Sequence, residues 1–210
     1  MESSNLSVQT ESAGTVAANR GDLRQLVVAG PMRFVVGFAE SRAYLDSLSG
    51  LTRVPRSPNW LLGVFSSDGT SVPLIDIDAW AHQTRPAAWK YTDNSGTSHF
   101  AGARSGAAVA TGAAAAKQLR ALQFGEGLNA WAIRVSEAPA VVALEGHQAQ
   151  SISNRLPLQV SANNGRLMQY AQSAWTLVGK APAIEVRWIA LAAVLRQELS
   201  GISSSERRKE

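Results

Sequence analysis

The segment from Val54 to Trp80, VPRSPNWLLGVFSSDGTSVPLIDIDAW, constrains the fold most strongly because apolar runs in it alternate with turn residues. Trp60–Phe65 is an apolar run of strand length, and Val72–Ile77 is a second one. Ser66-Ser67-Asp68-Gly69 lies between them and consists of residues that favour chain reversal. The segment therefore predicts a β-hairpin at the centre of a β-rich unit.

Other short apolar runs extend this β-rich pattern on both sides of a segment rich in Gly and Ala. The predicted strands outside the central hairpin are Leu26–Gly30, Arg33–Phe38, Leu119–Phe124, Trp131–Val135, Ala140–Leu144 and Ala183–Val186. The connector Ala39–Leu48 has mixed spacing and is predicted to be helical or irregular. Trp188–Leu199 has apolar residues near helical spacing and predicts an amphipathic C-terminal helix.

Four regions follow from these patterns. Residues 1–21 are polar and predict a disordered lead, and residues 22–199 predict the folded domain. Within that domain, residues 84–117 form a long insertion rich in Gly, Ala, Ser and Thr, which we expect to be mobile. Residues 200–210 predict a charged flexible tail. Because two clusters of strands flank the insertion, the fold class is predicted to be mainly β, with two small barrels packed together.

Charge and composition exclude several classes of function. The chain of 210 residues has no cysteine, which excludes disulfides and thiolate chemistry and fits a cytoplasmic protein. The net charge is only +4, and the arginines are scattered rather than clustered, so nucleic acid is not an expected partner. The N-terminus has no apolar core of a secretion signal. The apolar stretch Ala101–Ala116 is shorter than the ~20 residues that a spanning helix needs.

Residue types that carry catalysis or bind metals occur without a recognisable pattern. His82, His99 and His147 are interpreted as isolated, with no other His or carboxylate at ligand spacing. Asp76 and Asp78 are better explained as N-caps of a short helix than as a metal pair. No phosphate-binding loop or nucleophile elbow is present. The sequence therefore predicts no enzyme activity, no cofactor and no metal site.

An apolar surface that binds other proteins is the remaining kind of functional site. The candidate residues share large apolar or aromatic side chains in the β-rich unit: Phe38, Tyr44, Trp60, Leu62, Phe65 and Trp80. Trp60 and Trp80 are interpreted as core residues. Phe65 is the preferred interface residue, because at the end of a hairpin strand its side chain is expected to be hard to bury.

The same hairpin resembles the signature of CheW-like domains, the coupling proteins of bacterial chemosensory arrays. The resemblance rests on P-x-W, two apolar residues, Gly63-Val64, a four-residue turn ending in Gly69, and Val72-Pro73 with two apolar residues and Asp76. Weaker similarity covers most of residues 22–199. It implies two SH3-like barrels, no catalysis, and two protein partners, a CheA-type histidine kinase and the cytoplasmic tip of a chemoreceptor. The sequence Trp60-Leu61-Leu62-Gly63 resembles that of the family members that serve type IV pilus twitching motility.

The partner-binding residues implied by this resemblance, together with the apolar candidates, are Phe38, Tyr44, Val64, Phe65, Ser67 and Asp68. The chain departs from the family pattern at Asp68, where the turn usually has Arg, and this exchange reverses a charge. The family pattern also has an acidic residue after the second hairpin and another in the first connector. In this chain those positions are Ser136 and Ala43. An alternative therefore stays open, in which a divergent CheW-like domain has changed its partner or binds a small ligand between its barrels.

Overall fold

The computed structural model describes residues 23–84, 89–92, 98–101, 118–144, 148–151, 165–177 and 181–206. The strands are β1 (Leu23–Ala29), β2 (Met32–Gly37), β3 (Ser41–Leu45), β4 (Leu61–Ser67), β5 (Thr70–Ile75), β6 (Trp89–Thr92), β7 (Ser98–Ala101), β8 (Arg120–Phe124), β9 (Trp131–Val135), β10 (Ala140–Ala143), β11 (Gln148–Ser151), β12 (Ala171–Thr176) and β13 (Ala183–Val186). The helices are α1 (Ile77–His82) and α2 (Trp188–Glu206), and 3₁₀ turns lie at Gly127–Asn129 and Gly165–Tyr170. The prediction of a mainly β chain with a C-terminal helix is confirmed.

The strands form two large sheets, and each sheet contains strands from both sides of the Gly- and Ala-rich insertion. One sheet has six strands in the order β10-β1-β2-β13-β12-β11, and the other has five in the order β3-β8-β9-β5-β4. Each sheet contains a parallel pair of strands: β2 with β13 in the six-stranded sheet, and β5 with β9 in the five-stranded one. The sheets therefore do not coincide with the two strand clusters that flank the insertion, because distant strands pair in both of them.

The segment after β3 closes the five-stranded sheet into a barrel. Leu48 donates from its backbone N–H to the carbonyl of Leu119, next to β8, at 3.0 Å. Thr52 and Val64 exchange two backbone hydrogen bonds of 2.8 Å at the opposite edge strand, β4. This stretch of chain therefore continues the pairing with the β8 side of the sheet and then bridges to the edge strand β4, which joins the two sides of the sheet.

The main core lies between the two sheets and α2. Trp188, at the start of α2, stacks on Phe124 with ring centroids 4.7 Å apart and meets Phe34 edge-on at 5.4 Å. Phe34 belongs to the six-stranded sheet and Phe124 to the five-stranded one, so Trp188 joins them. The buried face of α2 continues through Leu191 and Leu195. Such aromatic contacts add about 0.5–1.5 kcal/mol each beyond the area that they bury.

The central hairpin has a tighter turn than predicted. Strand β4 runs through Ser67, which pairs with Thr70, so only Asp68 and Gly69 form the turn. Both residues have positive φ, 50° and 73°, as a two-residue hairpin turn of the type I′ class requires. The predicted cap is confirmed at Asp76, whose Oδ1 accepts from the N–H of Ala79 at 3.0 Å.

Two other predictions are corrected by the structure. Residues 41–45 form strand β3 rather than a helical or irregular connector, because they pair with β8. Within the predicted insertion, β6 pairs with β7, and residues 85–88, 93–97 and 102–117 lie outside the described part of the chain, so the mobility of the insertion stays a prediction. The helix α2 continues to Glu206, where a flexible tail was predicted from residue 200, since extending an existing helix orders one residue per hydrogen bond. The predicted lead, residues 1–21, lies outside the described residues.

Candidate functional site

A groove opens where the two sheets meet beside the β2–β3 turn. It has a volume of about 340 Å³ and is lined by residues of both sheets, including Phe38, Tyr44, Pro139 and Val141. Phe38 is 49% exposed and Val141 is 63% exposed, although both are large and apolar. Gln25 of β1 bridges the sheets at this groove through a 2.6 Å hydrogen bond to Ser41 of β3. We call this surface the seam groove.

The seam groove adjoins a second depression that is rich in carboxylates. This depression, of about 550 Å³, is lined by Glu40, Arg42, Asp68 and Glu126 among others, and it shares Ser41, Arg42 and Ala43 with the seam groove. Arg42 Nη2 donates to Asp68 Oδ2 at 3.1 Å, and Arg42 Nη1 donates to Glu126 Oε1. The hydrogen bond to Asp68 and the charge of Glu126 raise the pKa of Arg42. Arg42 therefore remains a cation held between two carboxylates.

Tyr44 is anchored at the other side of the seam groove. Its hydroxyl donates to Asp46 Oδ1 at 2.8 Å, and Arg120 Nε lies 2.9 Å from the same oxygen. Partial burial, followed by the hydrogen bond to Asp46, raises the pKa of the Tyr44 phenol. The ring is thereby fixed with its hydroxyl protonated at neutral pH.

The expectation that the side chain of Phe65 is hard to bury is wrong. Its side chain is only 4% exposed and packs in the interior of the five-stranded barrel, with Leu51, Leu74 and Leu119 among its neighbours in that core. Because β4 continues through Ser67, Phe65 lies inside a strand and faces the barrel core. Trp80 is fully buried, as expected for a core residue, and Trp60 is partly buried against the main core.

The remaining predicted site residues have different surroundings. Ser67 donates to the buried Gln123 at 3.1 Å, which gives it a structural partner. Val64 is half-buried and carries the backbone pair that closes the barrel. The structure thus brings Phe38 and Tyr44 together in the seam groove and places Asp68 beside it. It does not bring Phe65 to that surface.

Sequence reasoning missed Arg42, Glu126 and Val141 as residues of this surface. Arg42 and Glu126 are 84 positions apart, and only the fold brings them together. Val141 lies on a strand that was predicted, yet its exposure depends on β10 being the edge of the six-stranded sheet. None of these three residues therefore has a local sequence signal for its role.

Ser136 links the ends of two strands. Its Oγ accepts from the N–H of Gly30 at 2.9 Å, and its N–H donates to the carbonyl of Val28 at 2.7 Å. Ser136 follows β9 in one sheet, while Val28 and Gly30 belong to the β1–β2 hairpin of the other. The residue thus fastens the two sheets to each other.

The described side chains form no cluster with the ligands that a metal ion needs. No group of three or more His, Asp or Glu residues among them could hold a metal ion. His82 is not isolated as predicted, because Nδ1 lies 2.9 Å from Asp78 Oδ1 one helical turn away. His147 lies outside the described residues, as do the side-chain surroundings of His99. Within the part of the chain that the structure covers, no helix is long and apolar enough to cross a bilayer.

Comparison with known proteins gives matches among solved structures alone. No family model matches the sequence, and a search of curated proteins finds no match. Among solved structures, the chain is similar to the scaffolding protein TtCheW from Thermoanaerobacter tengcongensis, with a TM-score of 0.49 and 8% sequence identity over 79% of this chain and 88% of that chain. At this level of similarity, neither an activity nor a partner carries over to this chain.

Proposed function

We propose that this protein is a non-catalytic cytoplasmic adaptor that couples chemoreceptors to a CheA-type histidine kinase. The resemblance of residues 54–80 to the CheW-like signature supports this proposal from the sequence. The observation that carries it is the seam groove, which Phe38 and Val141 both line with exposed side chains at the junction of two sheets. Exposed apolar surface with a polar rim is typical of protein-binding sites.

The shape of this surface favours an adaptor over a binder of small ligands. A ligand binder needs a closed, largely apolar cavity with a few converging polar groups. The seam groove and the carboxylate-rich depression are open to solvent. A third depression, of about 440 Å³, lies between Trp131 and the start of α2 and is more enclosed than these two. A protein partner can cover the two open surfaces, whereas a small molecule would stay largely hydrated in them. The third depression is the place where the small-ligand alternative would be tested.

The changed-partner alternative depends on Asp68. In the family pattern the turn has Arg, and the acid is expected at Ala43. Here Arg42 stands next to Ala43 and pairs with Asp68, so the two charges are exchanged between the turn and the first connector. A partner would therefore meet an acidic side chain, rather than a basic one, on the turn side.

A binding assay with a matched control tests the adaptor proposal. Purified protein is presented to the regulatory domain of the kinase and to receptor cytoplasmic tips from the source bacterium, including those of any pilus-linked chemosensory system. We expect capture of both fragments by the wild-type protein and a loss of about tenfold or more for Phe38→Ala, as for a central apolar contact. Leu128→Ala is the control, because Leu128 is 97% exposed and does not line the seam groove.

The outcomes separate the parts of the proposal. If neither fragment binds, the chemosensory role is wrong and the changed-partner alternative replaces it. If both fragments bind and Phe38→Ala binds as well as the wild type, the adaptor role stands and the contact lies elsewhere. Thermal unfolding of Phe38→Ala and Leu128→Ala is measured in parallel, so that a loss of binding is not confused with a loss of fold.

A further inference from the structure

The seam groove and the carboxylate-rich depression beside it form one composite surface with two chemically different halves. Phe38, Tyr44, Pro139 and Val141 give one half an apolar lining. The adjoining half is lined by Glu40, Asp68 and Glu126 with Arg42 among them. Because the two depressions share residues 41–43, a single partner segment can occupy both halves.

The charged half is acidic, since three carboxylates surround one guanidinium. The side chains of Asp68 and Glu126 are 75% and 76% exposed, so both can reach a ligand from solvent. Arg42 is the least exposed member of this ion-paired group, at 38%, and its donors already face Asp68 and Glu126. Glu40 accepts from the N–H of Gly37 at 2.7 Å, which holds its carboxylate at the β2–β3 turn.

We propose that the seam groove binds a partner segment that carries an apolar side chain beside Lys or Arg. The apolar side chain contacts Phe38 and Val141, and the cation contacts Asp68 and Glu126. This inference names the chemistry of the partner and rests on the proposed function, since it requires the groove to dock a protein. The chain as a whole has a net charge of +4, so non-specific attraction would favour an acidic segment instead.

Arg42 is expected to weaken the binding of a basic partner segment. A partner cation that approaches Asp68 and Glu126 meets Arg42 between them and is repelled by it. Arg42→Gln removes that repulsion and releases both carboxylates, so it strengthens binding of a basic segment. If the groove instead recognised a carboxylate through Arg42, the same substitution would weaken binding. The sign of this single change therefore distinguishes the two modes of recognition.

The test uses two short Leu-rich peptides that are identical except that Arg residues in one are Glu in the other. We expect the Arg peptide to bind about threefold to tenfold more tightly at low ionic strength, the effect of one or two exposed charge pairs. The preference shrinks as salt is added, because exposed charges are screened. Phe38→Ala weakens binding of both peptides. Asp68→Asn with Glu126→Gln removes the preference, and Arg42→Gln increases it.

Two results would overturn the inference: equal or tighter binding of the Glu peptide, or weaker binding of the Arg peptide to Arg42→Gln. Neither depends on the receptor and kinase fragments. A preference for the Arg peptide without capture of either fragment would retain the basic-partner inference and reject the chemosensory adaptor. Capture of the fragments with a preference for the Glu peptide would do the reverse.

Discussion

The Nη2 atom of Arg134 lies 3.1 Å from Oδ2 of Asp76, at a buried point where β9 meets the beginning of α1. Asp76 is only 2% exposed, and its other oxygen caps α1 through the N–H of Ala79. One carboxylate therefore fastens the central hairpin, the short helix and the second hairpin to each other.

Replacing this carboxylate destabilises the fold. We expect Asp76→Ala to lower the free energy of unfolding by about 3–5 kcal/mol, because it leaves the Arg134 charge without its carboxylate in a buried setting. Asp76→Asn keeps an oxygen that can cap the helix, so it should lower the free energy of unfolding by about 1 kcal/mol less than Asp76→Ala does. Asp78→Asn is the control, since Asp78 is partly exposed and its loss costs at most about 1 kcal/mol. Urea denaturation measures all three; equal stability of Asp76→Ala and the wild type would contradict the role of the ion pair.

The protonation of Asp76 gives stability a specific dependence on pH. Burial raises the pKa of Asp76 above its ordinary 3.8 and outweighs the attraction of Arg134. Because the folded carboxyl keeps its proton to higher pH than the unfolded one, its contribution to stability is full below its unfolded pKa and falls as pH rises through its folded pKa. The stability of the wild type minus that of Asp76→Asn should therefore decrease as the pH rises above 3.8, the ordinary pKa of the group. Denaturation at several pH values measures this difference, and an increase with pH would refute the assignment.

The burial of Phe65 predicts a contrast with Phe38. Phe65→Ala should lower the free energy of unfolding by about 3–5 kcal/mol, because it opens a cavity inside the barrel. Phe38→Ala should cost about 1 kcal/mol or less, since half of that side chain is in water. Thermal and chemical denaturation of the two variants provide the measurement. Similar losses in both would mean that Phe38 is also a core residue and would remove it from the proposed interface.

Gly63 is predicted to be required for closure of the five-stranded barrel. A Cβ at this position would lie 2.5 Å from the carbonyl oxygen of Thr52, which accepts the hydrogen bond from Val64. Gly63→Ala must therefore displace the backbone pair that closes the barrel, and we expect a loss of at least about 2 kcal/mol. Gly69→Asn is the matched control, because nothing lies near a Cβ there and Asn tolerates the positive φ of the turn. Denaturation midpoints of the two variants compare them; a tolerated Gly63→Ala would show that the bridge between Thr52 and Val64 is not needed.

The elements predicted correctly from sequence are those whose determinants are local. The hairpin between β4 and β5 depends on Asp68-Gly69, where two residues with positive φ are needed in succession. The start of α1 depends on Asp76, and α2 depends on the spacing of its apolar residues, of which Leu191 and Leu195 are buried. In each of these cases, the chemistry of a few neighbouring residues selects the conformation.

The elements that sequence reasoning missed depend on partners far away in the chain. Residues 41–45 became strand β3 because β8 pairs with them, and no local propensity required it. Phe65 was misplaced because its surroundings are supplied by Leu119 and other residues of distant strands. Likewise, the carboxylate-rich depression beside the seam groove forms only where Asp68 of the turn, Arg42 of β3 and Glu126 meet in space.

The sequence by itself determined the β-rich class, the central hairpin, the cap at Asp76 and the C-terminal helix, since these follow from backbone propensities and short-range spacing. Only the tertiary structure decided how the strands divide between two sheets, and therefore which apolar side chains are covered. The physical reason is that burial and ion pairing depend on distances in space. Pairings such as β1 with β10 or β2 with β13 join strands that are more than 100 residues apart in the chain. Phe38 was left exposed and Phe65 was enclosed by that division of strands.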